Sequence, residues 1–292
     1  MPARTRLICN ADDFGLSPGI SAAILQAHAA GVISSTTLMS NMPAAADAVA
    51  QARDWPRLGI GVHLNLTLGA PLSAPAALPD LLAADGRFLD RAQLAPKLRG
   101  CGTAALRAQL LREFDAQIEQ ARALGVTPTH LDSHQHIANL PLALWALAHS
   151  ARRHGIRAAR SNYGPFRATP GSGQALHRLS KNLRLLPESL WQRAARAVLA
   201  RYGVRTPQYK ASFTRVLPRE RDSVARLLRL LDCLPTGSVE LGFHPGPEHS
   251  DIDESPRTVA MRASDRRLLT DAAVRARLQA ADIELIRFDQ LD

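Results

Sequence analysis

The run LICNADDFGLSPGISAAILQAHAAGVISSTTLM, residues 7–39, reads as one strand–helix–strand unit. Leu7–Ala11 is a compact apolar run, and polar residues follow it at once. Ser17-Pro18-Gly19 then has the form of a helix start, with Ser as N-cap and Pro at the first helical position. That helix turns Ile20, Ile24 and Ala27 inward and ends at Gly31. Val32–Met39 is rich in β-branched residues and reads as the next strand. The same alternation continues outward along the chain. Ala44–Arg53 is helical, Leu58–Leu66 extended, and Ala104–Leu124 a long helix with Leu106, Leu110, Phe114, Ile118 and Ala121 on one face. Thr129–His136 is predicted as a strand, Leu140–His154 as a helix and Ile156–Arg160 as a strand. Ser238–Phe243 and Ile283–Phe288 are strands around a helix, Ala263–Ala280. Strands that alternate with helices of 10–20 residues imply βα units and a mainly parallel sheet. An α/β fold follows, a closed or nearly closed (β/α) barrel first and an open doubly wound sheet second. Neither GxGxxG nor GxxxxGK[ST] occurs, so a nucleotide fold has no motif support.

The chain has 292 residues and a formal net charge of +10, from 36 basic and 26 acidic side chains. We read it as a single domain, 1–292, with a basic helical insertion at about 167–215. Ten basic residues and one acidic, Glu188, lie between Arg167 and Arg215, so the excess charge belongs to that segment. Within it, Gln174–Tyr202 reads as two amphipathic helices separated at Pro187, the second with Leu190, Ala194, Val198 and Tyr202 as its stripe. A packed excursion with a solvated Arg face, a lid, or a homodimer contact are its expected uses. Aromatics are only 4%, so nucleic acid or lipid is not an expected partner. No apolar run approaches the ~20 residues of a membrane-spanning helix, and the N-terminus shows no signal-peptide core. Cys9, Cys101 and Cys233 are odd in number and far apart, which argues for a reducing, cytoplasmic setting.

Four clusters carry chemistry. Asp12 and Asp13 stand where the first apolar strand stops, and in βα-barrels the reactive groups sit at that end of the strands. Neighbours on a strand point in opposite directions, so the two carboxylates are expected to do different jobs. A bare Asp pair also serves as a loop or helix cap. His63 lies late in an apolar strand, where a lone histidine is more often a satisfied core residue than a ligand. His130, Asp132, His134 and His136 fall at every second position, so an extended strand would project all four from one face. Such a face is costly to bury unless something binds it, and imidazole with carboxylate suits a divalent metal. A hydrogen-bonded histidine network is the plainer reading. His244 ends another apolar strand. One barrel mouth would gather Asp12, Asp13, His63, His134 and His244, and a metal held by one carboxylate and two imidazoles there would assist a hydrolysis.

The motifs NADDFGLSPG, GVISSTTLMSNMP, GVHLNLTLGAPL, PTHLDSHQH and ELGFHPG, in that order, resemble those of the YdjC/ChbG-type carbohydrate deacetylases. They span most of the chain except Arg167–Arg215. The resemblance implies a distorted (β/α) barrel and metal-dependent removal of acetyl groups from N-acetylated sugars. It implies that Asp13, His63 and His134 are ligands to one divalent metal ion, magnesium or zinc. It further implies that Asp12 is the general base, that His244 is the acid for the leaving amine, and that Arg160 stands near the reaction. Asn65, Asp132 and His136, from the same motifs, are expected on the substrate. Where many relatives continue DSHxHxH this chain has Ala138. Two readings compete with the sugar deacetylase: a metal-dependent hydrolase of another amide or ester, and a non-catalytic barrel that binds an acidic partner.

Overall fold

The structure, a computed structural model, describes residues 4–160, 186–211 and 223–292. Its strands are β1 (Thr5–Phe14), β2 (Ser35–Leu38), β3 (Gly59–Leu64), β4 (Leu131–Ser133), β5 (Tyr209–Ala211), β6 (Gly237–Phe243) and β7 (Ile283–Leu285). The helices, numbered here in chain order, are α1 (Pro18–Ala29), α2 (Ala45–Ala52), α3 (Arg91–Leu98), α4 (Ala104–Ala123) and α5 (Pro141–Arg153). They continue with α6 (Leu186–Arg201), α7 (Ser223–Asp232), α8 (Pro256–Leu269) and α9 (Ala272–Leu278). All strand pairs are parallel, in the order β4-β3-β2-β1-β6-β5. On one edge of β1, β2 takes the C-terminal half and β7 the N-terminal half. Beyond β4, single parallel bridges join Leu131 to Ala159 and Ala158 to Arg205, which carries the wall round toward β5. The result is a curled, distorted barrel.

Period-two alternation divides each strand between two cores. Leu7, Cys9 and Ala11 of β1, Val62 and Leu64 of β3, and Val239, Leu241 and Phe243 of β6 join the main apolar core under the helices. The opposite faces fill the barrel. Ile8, Ala158, Ile286, Phe288 and Leu291 plug its lower end, and polar residues occupy the levels above. Ser17 caps α1 as its sequence predicts, its Oγ accepting from the Ile20 N–H at 3.2 Å. Gly31 closes that helix at φ +81°, a conformation glycine adopts without a Cβ clash.

Several elements depart from expectation. The strand predicted over Thr129–His136 is only Leu131–Ser133. A 3₁₀ turn follows, with Gln135 and His136 in left-handed backbone at φ 51° and 55°. Ile156–Arg160 pairs only through the bridges at Ala158 and Ala159. The helix predicted over Ala263–Ala280 is two, because Asp271 caps a new start by accepting from the Ala273 and Val274 N–H groups. The basic segment is wall, not appendage, in its described part: α6 packs on α5, and β5 pairs with β6. The stripe of α6 is also shifted. Trp191, Ala195, Val198, Leu199 and Tyr202 pack inward, while Leu190 is 62% exposed. The first helix predicted in that segment lies outside the described residues.

Candidate metal centre and active site

The C-terminal ends of β1, β3, β4 and β6 bring four of the predicted clusters to one mouth. Asp12 continues the inward face of β1. Its neighbour Asp13 does not point away as strand alternation predicts. A register shift against β2 between Ala11 and Phe14 and a left-handed backbone, φ 71°, swing its carboxylate into the same site. A non-glycine residue held there costs roughly 1–3 kcal/mol, and such positions cluster at functional sites.

Asp13 Oδ1 lies 3.4 Å from His63 Nε2 and 3.1 Å from His134 Nδ1. All three donor atoms fall within 4.8 Å of one another. Edges of this length suit three ligands sharing an ion with bonds of about 2.0–2.2 Å. The second ring nitrogen of His63 is committed, Nδ1 lying 2.6 Å from Asp132 Oδ1, which leaves Nε2 to face the cluster. A carboxylate behind a ligating imidazole is the usual support of a metal-bound histidine. Burial opposes charge on the His63 ring, but Asp132, Asp13 and Asp12 outweigh it and push its pKa up to about 10. The cluster therefore attracts a cation, and the donor set fits a divalent one. Burial likewise resists ionisation of Asp13, yet the imidazoles and Arg262 hold its carboxyl well below the usual range.

A second charge network lies beneath. Arg160 donates Nη1 to Asp12 Oδ2 at 2.6 Å and Nη2 to Asp12 Oδ1 at 2.7 Å, reaches Asp132 Oδ2 at 2.8 Å, and gives Nε to Glu240. Asn10 Nδ2 adds a donor to Asp12 Oδ1 at 2.9 Å. Burial works against the Asp12 charge, but Arg160 overcomes it, so this carboxyl stays well below its ordinary pKa. His244, 43% exposed at its side chain, overlooks this pair with Nε2 3.6 Å from Asp12 Oδ2.

The residues expected on substrate separate. Asn65 is fully buried, and its amide staples its own turn, accepting from the Thr67 and Leu68 N–H groups and donating to Leu68 O. Asp132 is spent on His63, Thr37 and Arg160. Of these three, only His136 keeps an unpartnered buried polar atom, its ring Nδ1. Burial, then Lys210, push its pKa down to about 3. His130, of the same motif, joins the lower plug, stacked on Phe288 at 3.7 Å.

Four site residues were not singled out from the sequence. Arg262 of α8 donates Nη2 to Asp13 Oδ2 at 2.7 Å and is itself held by Glu254. Asp265 of the same helix accepts the His244 backbone N–H at 2.8 Å. Glu240 and Lys210 face each other across β6 and β5 beside Arg160. Burial, then Arg160, lower the Lys210 pKa to about 8. Glu240 was legible as an inward position of β6; Arg262 and Asp265 sit in an arginine-rich helix with no local signal.

Fold and site together define a parallel α/β barrel with a carboxylate–histidine cluster at its mouth. The chain belongs to the YdjC-like protein family, whose model matches residues 6–280. A carbohydrate deacetylase of Geobacillus stearothermophilus is 42% identical over 149 residues, 51% of this chain and 57% of that protein, so the match spans little more than half the relative's length. A carbohydrate deacetylase of Clostridium beijerinckii is 29% identical over 98% of this chain and all of that protein. A solved structure from Enterococcus faecalis V583, named for cellobiose-phosphate cleavage, superposes with a TM-score of 0.73, covering 98% of each chain at 25% identity.

Proposed function

We propose that this chain is a metal-dependent carbohydrate deacetylase that hydrolyses the acetamide of N-acetylated sugars to a free amine and acetate. The observation that carries it is the Asp13, His63 and His134 cluster set beside the Asp12–Arg160 pair and His244 at one open mouth. The relatives named carbohydrate deacetylase support the substrate class. Held by Asp13, His63 and His134, a divalent cation, magnesium or zinc, would supply Lewis acidity to the acetamide carbonyl and to water. Asp12 Oδ2 takes the proton of the attacking water. Arg160 and Asn10 fix that carboxylate and keep it ionised. His244 Nε2, close to Asp12 yet open to solvent, gives a proton to the departing nitrogen. His136, with its unpartnered nitrogen, is the substrate contact we retain; Asn65 and Asp132 act as positioning residues. Three free thiols, Cys9, Cys101 and Cys233, support a cytoplasmic setting.

The test is amine release from a panel of N-acetylated mono- and oligosaccharides after metal add-back. Asp13→Ala should lose the metal. Asp12→Asn should keep metal stoichiometry and lose turnover by about 10²–10⁴-fold. Normal deacetylation by Asp12→Asn would refute its role, and a metal-loaded chain inert on the whole panel would refute the function.

A further inference from the structure

A cavity of about 520 Å³ opens at the N-terminal end of the barrel, away from the metal cluster. Its walls are the connections that lead into the strands: Trp55 and Pro56 ahead of β3, Val126–Thr129 ahead of β4, and Gly155–Ala158. Four arginines line it, each from a different part of the chain. Arg53 ends α2, Arg157 follows α5, Arg205 follows α6, and Arg287 follows β7. One carboxylate, Asp289, shares the lining, and Arg287 occupies both its oxygens at 3.0 and 2.9 Å. Among the described residues, the guanidinium groups of Arg53, Arg157 and Arg205 have no acidic partner. Backbone bonds hold two of these chain segments together: the Arg205 N–H donates to Arg157 O at 2.8 Å, with Arg205 in register with Ala158.

Bringing unpartnered like charges from separate elements into one concavity raises the energy of the empty site and the local concentration of anions. The planar guanidinium fork matches phosphate oxygens, two bonds at a time. The volume falls within the roughly 300–1,000 Å³ of small-molecule sites, and Trp55 with Pro56 offers an apolar wall. We propose that this cavity binds a small phosphomonoester carried on a ring, phosphate toward Arg157 and Arg205 and ring toward Trp55. Nothing in the catalytic mouth is needed for it.

Isothermal titration of the full chain with adenosine 5′-monophosphate, glucose 6-phosphate and inorganic phosphate tests this. A ring-bearing probe should bind once per chain, more tightly than inorganic phosphate, and more weakly as salt rises. Arg157→Ala with Arg205→Ala should weaken it by about tenfold per guanidinium, the worth of a charge-assisted hydrogen bond. The paired lysine variants keep charge without the fork and should fall between, which guards against a loss caused by misfolding. Asp13→Asn should bind as wild type does, which separates this cavity from the metal cluster. No binding by either ring-bearing probe, a double alanine variant within twofold of wild type, or loss of binding in Asp13→Asn would overturn the proposal.

Discussion

Gly61 stands two residues before His63, and its missing side chain is structural. A Cβ there would lie 2.5 Å from the His130 ring and 2.7 Å from the His130 carbonyl oxygen. Gly61→Ala should therefore cost about 1–3 kcal/mol, read as a lowered midpoint in urea, because backbone as well as ring must shift. At the other side of the cluster, Arg262 is a positioning residue: it holds the Asp13 oxygen that does not face the imidazoles. Arg262→Ala should lower metal affinity by about 10–100-fold, as losses behind a metal ligand do, with Arg262→Lys recovering part of it. Equilibrium dialysis checks this independently of turnover. The candidate ligands Asp13, His63 and His134 were legible, since each falls at or near the end of a predicted strand. Their orientation was not. Asp13 reaches the site only through its left-handed backbone, and His136 by a turn that breaks the alternation. Local strain of that kind is maintained by surrounding contacts and leaves no local pattern.

At the level of elements, α1, α2, α4 and α5 lie within about two residues of the predicted runs, whereas α3 and α7 were not predicted. The Ala104–Leu124 prediction is realised as α4, Ala104–Ala123. Strand lengths erred both ways: β2, β3, β4 and β7 are shorter than predicted, whereas β1, Thr5–Phe14, extends well past the apolar run Leu7–Ala11, because pairing with neighbours and not composition ends a ladder. The phase of α6 was misread because its alternating apolar residues offer two neighbouring stripes, and contact with α5 selects one. Trp191 donates to Asn139 O at 2.8 Å and Tyr202 OH meets His149 Nε2 at 3.1 Å. Trp191→Ala should thus lower stability by about 2–3 kcal/mol, while Leu190→Ala stays within about 0.5 kcal/mol. Paired thermal melts distinguish the two, and equal effects would contradict the observed phase.

Over the whole molecule, the barrel interior concentrates buried ionisable groups whose pKa values tie stability to pH. Burial pushes His130 from 6.5 down to about 3. The unfolded chain therefore binds the extra proton between those values, and the stability this ring contributes above pH 6.5 is lost as pH falls toward 3. From pH 7 to pH 5 the loss is about 2 kcal/mol for this group, and His130→Phe, which preserves the stack on Phe288, should flatten that part of the profile. Cys9 is buried and pushed up to about 12 by desolvation, whereas Cys101 and Cys233 are exposed. A thiol reagent at pH 8 should label two of the three cysteines in the native chain and all three in denaturant. The net charge of +10 divides differently from its sequence distribution. Within the basic segment, Lys210 enters the barrel and Arg205 lines the lower cavity. The alternating βα units, the parallel barrel and the residue types at each strand end are written in the local sequence, because periodicity and capping act over a few neighbours. Tertiary structure alone decided which oxygen of Asp13 faces the imidazoles, that Arg262 and Asp265 support the mouth, and that four arginines share one cavity. Those juxtapositions join residues up to 249 positions apart, as Arg262 and Asp13 are, and no local interaction encodes a contact made only when the barrel closes.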